Sequence, residues 1–336
     1  MAENAKFTIL SFVGGGIRGL MSVSALNKLY TLFPHMLDNT DLIAGCSTGS
    51  IITSELLAGK KPSDLVTFFT ERTGRGEIPF YDKMNTDPKE PAYNIMDAYG
   101  SQFALHGDKK VKDVDWKKAL FVTFNVGGLE VKNSLQTPIP WKPVMYTNMD
   151  PELGDVTIAK AATSSGAMPG QLGSYEGNVD GAFFNHDPTV AAIALAVKAG
   201  YALEDITAIT FGTGYMPDWI ASDTRNWGAD QWMNGVANPF NNTPPFLMNQ
   251  AKPSPVLDMC LNGTSTELMP MIAKMLLGER YANINPTLPF FIPENTTYQP
   301  AIDLLQDKGK HADTAHAEVL LEKYWVDHVL GPVRTT

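Results

Sequence analysis

An α/β fold, with a mostly parallel sheet covered by helices on both faces, is what this sequence predicts, and three observations carry the expectation. Apolar runs at Lys6–Val13, Ala119–Val126 and Asp205–Tyr215 lack the polar alternation of a strand with one wet face, so they read as strands buried on both sides. Stretches of helical spacing lie between them, among them Leu20, Val23, Leu26 and Leu29, and the almost wholly apolar Pro188–Ala199. Glycine turns close several strands, at Gly14–Gly19, Gly45–Gly49 and Gly212–Gly214, where the backbone must turn sharply or pass close to a neighbour.

With 336 residues, 44% of them hydrophobic and 18% charged, the chain can bury a large core, and residues 1–336 are expected to form one domain with an irregular insert at about 219–255. The formal net charge of -10 argues against a nucleic-acid partner, which needs a basic surface to neutralise phosphates. It also argues against docking on anionic membranes by charge alone. The two cysteines, Cys46 and Cys260, form no disulfide framework and no metal-ligand spacing. The first residues run into a strand without a charged and apolar leader, and no apolar run approaches membrane-spanning length, the longest candidate being Thr189–Val197. A reducing, cytoplasmic setting is expected.

In chain order, the first strand ends in Gly14-Gly15-Gly16-Ile17-Arg18-Gly19 before a helix, so bare backbone N–H groups face whatever anion sits there. Two readings of this loop stand. As G-x-G-x-x-G it matches a dinucleotide fingerprint, which also asks for an acid at the end of the second strand. As an oxyanion hole it belongs beside a nucleophile on the neighbouring strand. Arg18 either fixes the loop, meets a phosphate group, or lies on the surface capping local carbonyls.

Asp41–Ser50 reads as a strand running through Gly45-Cys46-Ser47-Thr48-Gly49 into a helix with Ile51, Ile52, Leu56 and Leu57. That is a G-x-S-x-G elbow, in which glycine on both sides of the serine lets strand and helix approach and pushes the hydroxyl into the open. Ser47 then sits at a helix N-terminus, where developing negative charge is favoured. The residue before the serine points elsewhere, so Cys46 reads as a small core residue.

Pro62–Arg72 and Pro91–Phe103 are expected helices, and the five lysines and three aspartates of Asp108–Lys118 read as a solvated turn. Val144–Thr147 is a short strand. Thr157–Ala162 opens a small-residue helix that runs into Thr163-Ser164-Ser165-Gly166-Ala167-Met168-Pro169. The Asp180-Gly181 pair taken alone is a turn. From Trp219 to Pro255 periodicity fades among Trp219, Trp227, Trp232, Phe240, Phe246 and five prolines, and the segment reads either as a lid or apolar rim for a lipid chain or as a long packed loop. Val256–Leu277 reads as helix, Arg280–Asn285 as strand and His311–Leu330 as a final amphipathic helix.

Taken in order, these motifs resemble the patatin-like phospholipase family over most of the chain. Gly14–Gly19 is similar to the family's oxyanion loop, Gly45–Gly49 to its nucleophile elbow and Asp180-Gly181-Ala182 to its Asp-Gly-Ala/Gly motif. Ala161–Pro169 and Phe211–Gly214 match two supporting segments, while Val13 stands where the family usually carries Asp. The resemblance implies a three-layer α/β/α sandwich and hydrolysis of acyl esters by a Ser47–Asp180 dyad. It also implies a covalent acyl-enzyme on Ser47 and oxyanion donors in Gly14, Gly15 and Gly16, with Arg18 supporting the loop and no metal or organic cofactor. The expected partner is a lipid or acyl-ester substrate, met through transient apolar contact with a membrane surface.

Three alternatives stay open at this stage: a nucleotide-binding protein using the 14–19 loop, a non-catalytic binding protein on the same fold, and a Ser-Asp-His triad. For the triad, His311, His316 and His328 follow Asp180 in the right order, and His186 lies close in sequence. Head group, acyl position, chain length and oligomeric state leave no mark in the sequence.

Overall fold

A computed structural model describes residues 6–70, 85, 87, 89–132, 135–216, 223–234 and 254–325. Its centre is a twisted sheet of seven strands. Strands β1 (Phe7–Phe12), β2 (Leu42–Cys46) and β3 (Lys118–Asn125) run parallel. An antiparallel ribbon, β4 (Gly128–Lys132) with β5 (Leu135–Ile139), then leaves the sheet before β6 (Lys142–Thr147) returns antiparallel to β3. The short β7 (Asn178–Asp180) also pairs with β3, and β8 (Ile206–Phe211) and β9 (Tyr281–Ile284) extend the parallel part beyond β1. The order across the sheet is β6-β3-β2-β1-β8-β9.

Helices cover both faces, in three layers. They are α1 (Gly19–Leu32), α2 (Thr48–Leu57), α3 (Pro62–Thr70), α4 (Ile95–His106), α5 (Ile158–Ser165) and α6 (Ala182–Asn185). Then come α7 (Thr189–Lys198), α8 (Ala229–Asn234), α9 (Pro255–Asp258), α10 (Met269–Leu277), α11 (Gln299–Lys310) and α12 (Ala315–Tyr324). The side-chain period of two sorts β1 between two cores. Leu10 and Phe12 pack with residues of α1, α11 and α12, whereas Phe7 and Ile9 pack with residues of α7 and α10. Both sets are fully buried, which is why the strand reads as apolar without alternation. Each such Leu, Ile or Phe contributes about 1.5–3 kcal/mol of burial.

Most expected strands and helices appear within a few residues of their boundaries, with informative exceptions. The expected final helix, His311–Leu330, begins only at Ala315 as α12, and residues 326–330 of that span lie outside the described residues; α11, which ends at Lys310 with His311 as its cap, precedes it and is not among the expected helices. The lysine-rich turn is not wholly solvated. Lys117 is buried, and its ammonium donates to the carbonyls of Leu37, Asp38 and Thr40, closing the N-terminal end of the sheet. Lys118 is buried too. Most of the 219–255 insert lies outside the described residues; within it, Trp227 meets Trp232 of α8 edge to face at 5.0 Å. Between α9 and α10 the chain keeps turning through a π-helical segment, Met259–Leu268. No helix among the described residues is long and apolar enough to cross a membrane.

Candidate active site

Strand register brings Ser47 and Asp180 together. Cys46, the last residue of β2, pairs with Val122 of β3, and the next residue of β3, Thr123, pairs with Asp180 of β7. Since β6 occupies the other edge of β3, β7 takes the place that β2 vacates on turning away at Ser47. Two residues more than 130 apart in sequence thus meet at one point.

The turn itself is strained. Ser47 has φ 53 and ψ -124, a left-handed backbone that only glycine adopts freely. Its flanking glycines permit the turn: a Cβ on Gly45 would stand 2.2 Å from the Gly49 carbonyl oxygen, and one on Gly49 would stand 2.0 Å from that of Phe12. Ser47 is half-buried at the start of α2. Its own N–H donates to Ser165 Oγ at 3.1 Å, and the Ser50 hydroxyl donates to the same atom at 2.6 Å. Ser165 in turn donates to the Val122 carbonyl, so the elbow is tied to β3 beside Asp180.

Asp180 is fully buried. Burial pushes its carboxyl up to about 7; the Ser47 hydroxyl, the Ala182 N–H and the Cys46 thiol oppose the rise, and the charge of Glu294 adds to it. Oδ1 accepts from Ala182 N at 2.8 Å and lies 3.8 Å from Cys46 Sγ. Oδ2 has no partner, and the Ser47 hydroxyl, near enough to favour the ionised form, does not reach it in normal hydrogen-bond geometry. Cys46 is a buried core residue, as expected, and burial beside Asp180 pushes its thiol up, away from the thiolate a nucleophile needs.

The glycine loop crosses the same end of the sheet. Gly14 donates its N–H to the His186 carbonyl at 3.3 Å. Among the described residues, the N–H groups of Gly15 and Gly16 have no acceptor in the chain. Both have positive φ, 149 and 56, and Gly16 lies so close to the Glu294 carbonyl oxygen that a Cβ would stand 2.2 Å from it. Arg18 is neither a surface residue nor free for a phosphate. It is buried, ion-paired with Glu294 at 2.7 Å, and its Nε donates to the Gly15 carbonyl at 3.4 Å. The Glu294 carbonyl also accepts from Ile17 N at 2.7 Å, so one residue clasps the loop at two points.

Of the histidines, His311 and His316 are exposed and hydrogen-bonded to the carbonyls of Asp307 and Glu279. His328 lies outside the described residues. His186 is beside the site. A Cβ on Gly14 would stand 2.5 Å from its Nε2 and 2.9 Å from Ser47 Cβ. Burial lowers its pKa, which favours the neutral ring, and Nδ1 donates to the Leu261 carbonyl at 3.2 Å within the π-helical segment. Sequence reasoning missed His186 as a wall of the site, and missed Glu294 and the hub at Ser165. His186 carried a signal in its closeness to Asp180 in sequence, and Ser165 in the motif it falls in; Glu294 carried none. Among the described residues no cluster of His, Cys, Asp or Glu is placed to hold a metal ion.

This strand–elbow–helix, with an acid from β7 closing on the serine and a glycine loop across its mouth, defines a class, and comparison with known proteins agrees. Residues 10–193 match the model of the patatin-like phospholipase family, more than half of the chain, and the protein belongs to that family. It is 26% identical to protein teg of Priestia megaterium over 318 residues, 90% of this chain and 95% of that one. It is 27% identical to CotR of Bacillus subtilis over 332 residues, 96% and 99% of the two chains. The solved structure of VipD from Legionella pneumophila, 12% identical, covers 96% of this chain and 68% of its own at a TM-score of 0.46, a likeness too loose to carry an argument. Membership in a phospholipase family supports lipid hydrolase activity and implies lipid or acyl-ester substrates.

Proposed function

We propose that the protein is a serine hydrolase that cleaves carboxylic acyl esters of lipids, with Ser47 as nucleophile and Asp180 as its base. The observation that carries the reading is the meeting of a strained, half-buried serine with a buried carboxyl whose pKa burial raises to about 7 and whose Oδ2 has no hydrogen-bond partner. An ordinary carboxylate is too weak a base to take a serine proton; one raised to about 7 is matched to the task. Asp180 Oδ2 accepts the Ser47 proton as Oγ attacks the ester carbonyl carbon. The N–H groups of Gly15 and Gly16 receive the oxyanion, and removing one such donor typically costs ~3 kcal/mol. Gly14, whose N–H is committed to His186, holds the loop in place. Collapse expels the alcohol, which takes the proton from Asp180 and leaves an acyl group on Ser47. Water then gives its proton to Asp180, attacks the acyl carbon and releases the fatty acid, and the proton returns to Ser47. No step calls for a metal or organic cofactor.

The nucleotide reading is disfavoured by charge. Arg18 is neutralised by Glu294, whose carboxylate stands at the loop where a phosphate would need positive charge.

The test is turnover of p-nitrophenyl butyrate by wild type, Ser47→Ala, Asp180→Asn and the single His→Ala variants. Loss in both dyad variants, with every histidine variant active, is the expected result. If His186→Ala is as inactive as Ser47→Ala while staying folded, the base is misassigned. An inactive wild type on esters and phospholipids alike returns the non-catalytic reading.

A further inference from the structure

We infer that the β4–β5 ribbon, with Trp141 beside it, is the surface by which the protein docks on an electrically neutral lipid bilayer. The inference rests on the lipid-ester reading of the site, which it extends from chemistry to substrate delivery.

The ribbon springs from the active-site end of the sheet. Asn125 of β3, two residues past the partner of Asp180, leads through Val126 into β4, and β5 returns through Trp141 into β6. An aromatic row links the two places: Phe184, on the short helix after Asp180, stacks on Phe124 at 3.7 Å, and Phe124 meets Trp141 edge to face at 6.2 Å. An acyl ester leaving a bilayer beside the ribbon is therefore already at the mouth of the site.

The ribbon's side chains are wrong for water. Leu129, Val131, Leu135 and Ile139 are all exposed, Leu135 at 70%, and Trp141 is 73% exposed. Single exposed apolar residues are ordinary; a contiguous group rimming a site marks a binding surface. Register places Leu129 and Val131 on one face, opposite Pro138 and Gln136, so Leu135 and Ile139 lie on the other. A ribbon built to lie on a protein partner needs only one apolar face, whereas one that enters lipid is wetted by it on both. A further strand pairing along β5 would also lack the N–H of Pro138, which disfavours strand addition by another chain. Trp141 brings an aromatic body with a polar N–H, the residue type that settles at a membrane–water boundary.

Charge selects the kind of bilayer. The chain carries a net -10, while Gly128–Ile139 holds one Glu and one Lys, so the ribbon is a neutral segment on an acidic protein. Docking through it relies on apolar burial and is insensitive to salt.

The experiment is flotation with vesicles of diether phosphatidylcholine, which has no acyl ester to cleave, so binding is read apart from turnover. The variant Leu129→Ser/Val131→Ser/Leu135→Ser is compared with wild type and with the apolar control Leu129→Met/Val131→Ile/Leu135→Met. Expected are binding by wild type and control that is unchanged between 0.1 and 0.5 M NaCl, roughly the range in which surface charge pairing is screened out. The serine variant should bind at least about tenfold more weakly, lose hydrolysis of vesicular diacyl phosphatidylcholine, and keep its kcat/KM on p-nitrophenyl butyrate. Equal binding by the serine variant overturns the proposal, as does failure of wild type to float. So does a wild-type dimer that the serine changes dissociate, since the ribbon then covers a second copy. If wild type floats through the ribbon but cleaves no ester, docking stands and the proposed function fails.

Discussion

Burial that raises the Asp180 carboxyl to about 7 makes it a usable base and also a burden on the fold. The sign follows from linkage. In the unfolded chain the group ionises near its ordinary value, in the folded chain near 7, so between those values the unfolded state holds fewer protons and stability falls as pH rises. The penalty is complete above pH 7 and absent below about pH 4. Asp180→Asn should therefore be inactive yet more stable at pH 8, by about 2 kcal/mol or about 3 °C in Tm, with the gain shrinking toward pH 5. A gain of the same size at both pH values would assign it to packing instead of ionisation. Activity runs the other way, because only the ionised base accepts the serine proton: kcat should rise with pH through about 7. Glu294 adds negative charge to the same site, so Glu294→Gln, which keeps a hydrogen-bond acceptor for Arg18, should move that rise to lower pH by less than about one unit. An unmoved profile would mean that Asp180 does not set it.

At the scale of elements, the site depends on how the elbow between β2 and α2 is fastened. Ser165, the last residue of α5, receives the N–H of Ser47 and the hydroxyl of Ser50 and donates to the Val122 carbonyl. Ser165→Ala leaves a buried carbonyl and a buried N–H without their partner, which should cost about 1–3 kcal/mol of stability. If the elbow loosens, kcat should also fall by about tenfold with KM unchanged, a split that a purely structural loss would not produce. Stopped by thermal melting alongside steady-state kinetics, the question has a clear answer: a lower Tm with unaltered kcat rejects a positioning role. The elbow and the glycine loop were legible because their signals are local, a serine between glycines after an apolar run. The third segment, Ala161–Pro169, was visible only through resemblance, and its hub only in the structure. Neither the placing of β7 against β3 nor the Glu294 clasp, 276 residues from Arg18, leaves a local trace. Lys117 misled for the same reason: a lysine among charges reads as solvated until tertiary contacts supply three carbonyls for it. The β4–β5 ribbon escaped because its strands are short, exposed and broken by Pro138, unlike the buried runs that announce a sheet.

Across the whole molecule, one sheet serves two cores, and the larger closes only when the last helices return to α1. Residues of α11 and α12 join Leu10, Phe12, Ile43 and Phe211 there, and Trp325, 1% exposed, is the last described residue of the chain. Its indole N–H donates to Thr40 Oγ1 at 3.1 Å, and its carbonyl accepts from the Asn39 side chain, so the end of α12 is pinned to the turn that leads into β2. That turn sets where β2 begins, and β2 delivers Ser47. Trp325→Ala removes a large buried side chain and one hydrogen bond, and should destabilise by about 3–5 kcal/mol. The pinned turn is at the N-terminal end of β2, however, a full strand away from the elbow, so chemistry at Ser47 should survive wherever the chain remains folded. Urea denaturation of Trp325→Ala should show a lower midpoint, while kcat/KM on a soluble ester at 15 °C stays within about twofold of wild type. A large loss of kcat/KM in protein shown to be folded would mean that the C-terminal helix acts on the site through β2, coupling the core to the chemistry and not only to stability.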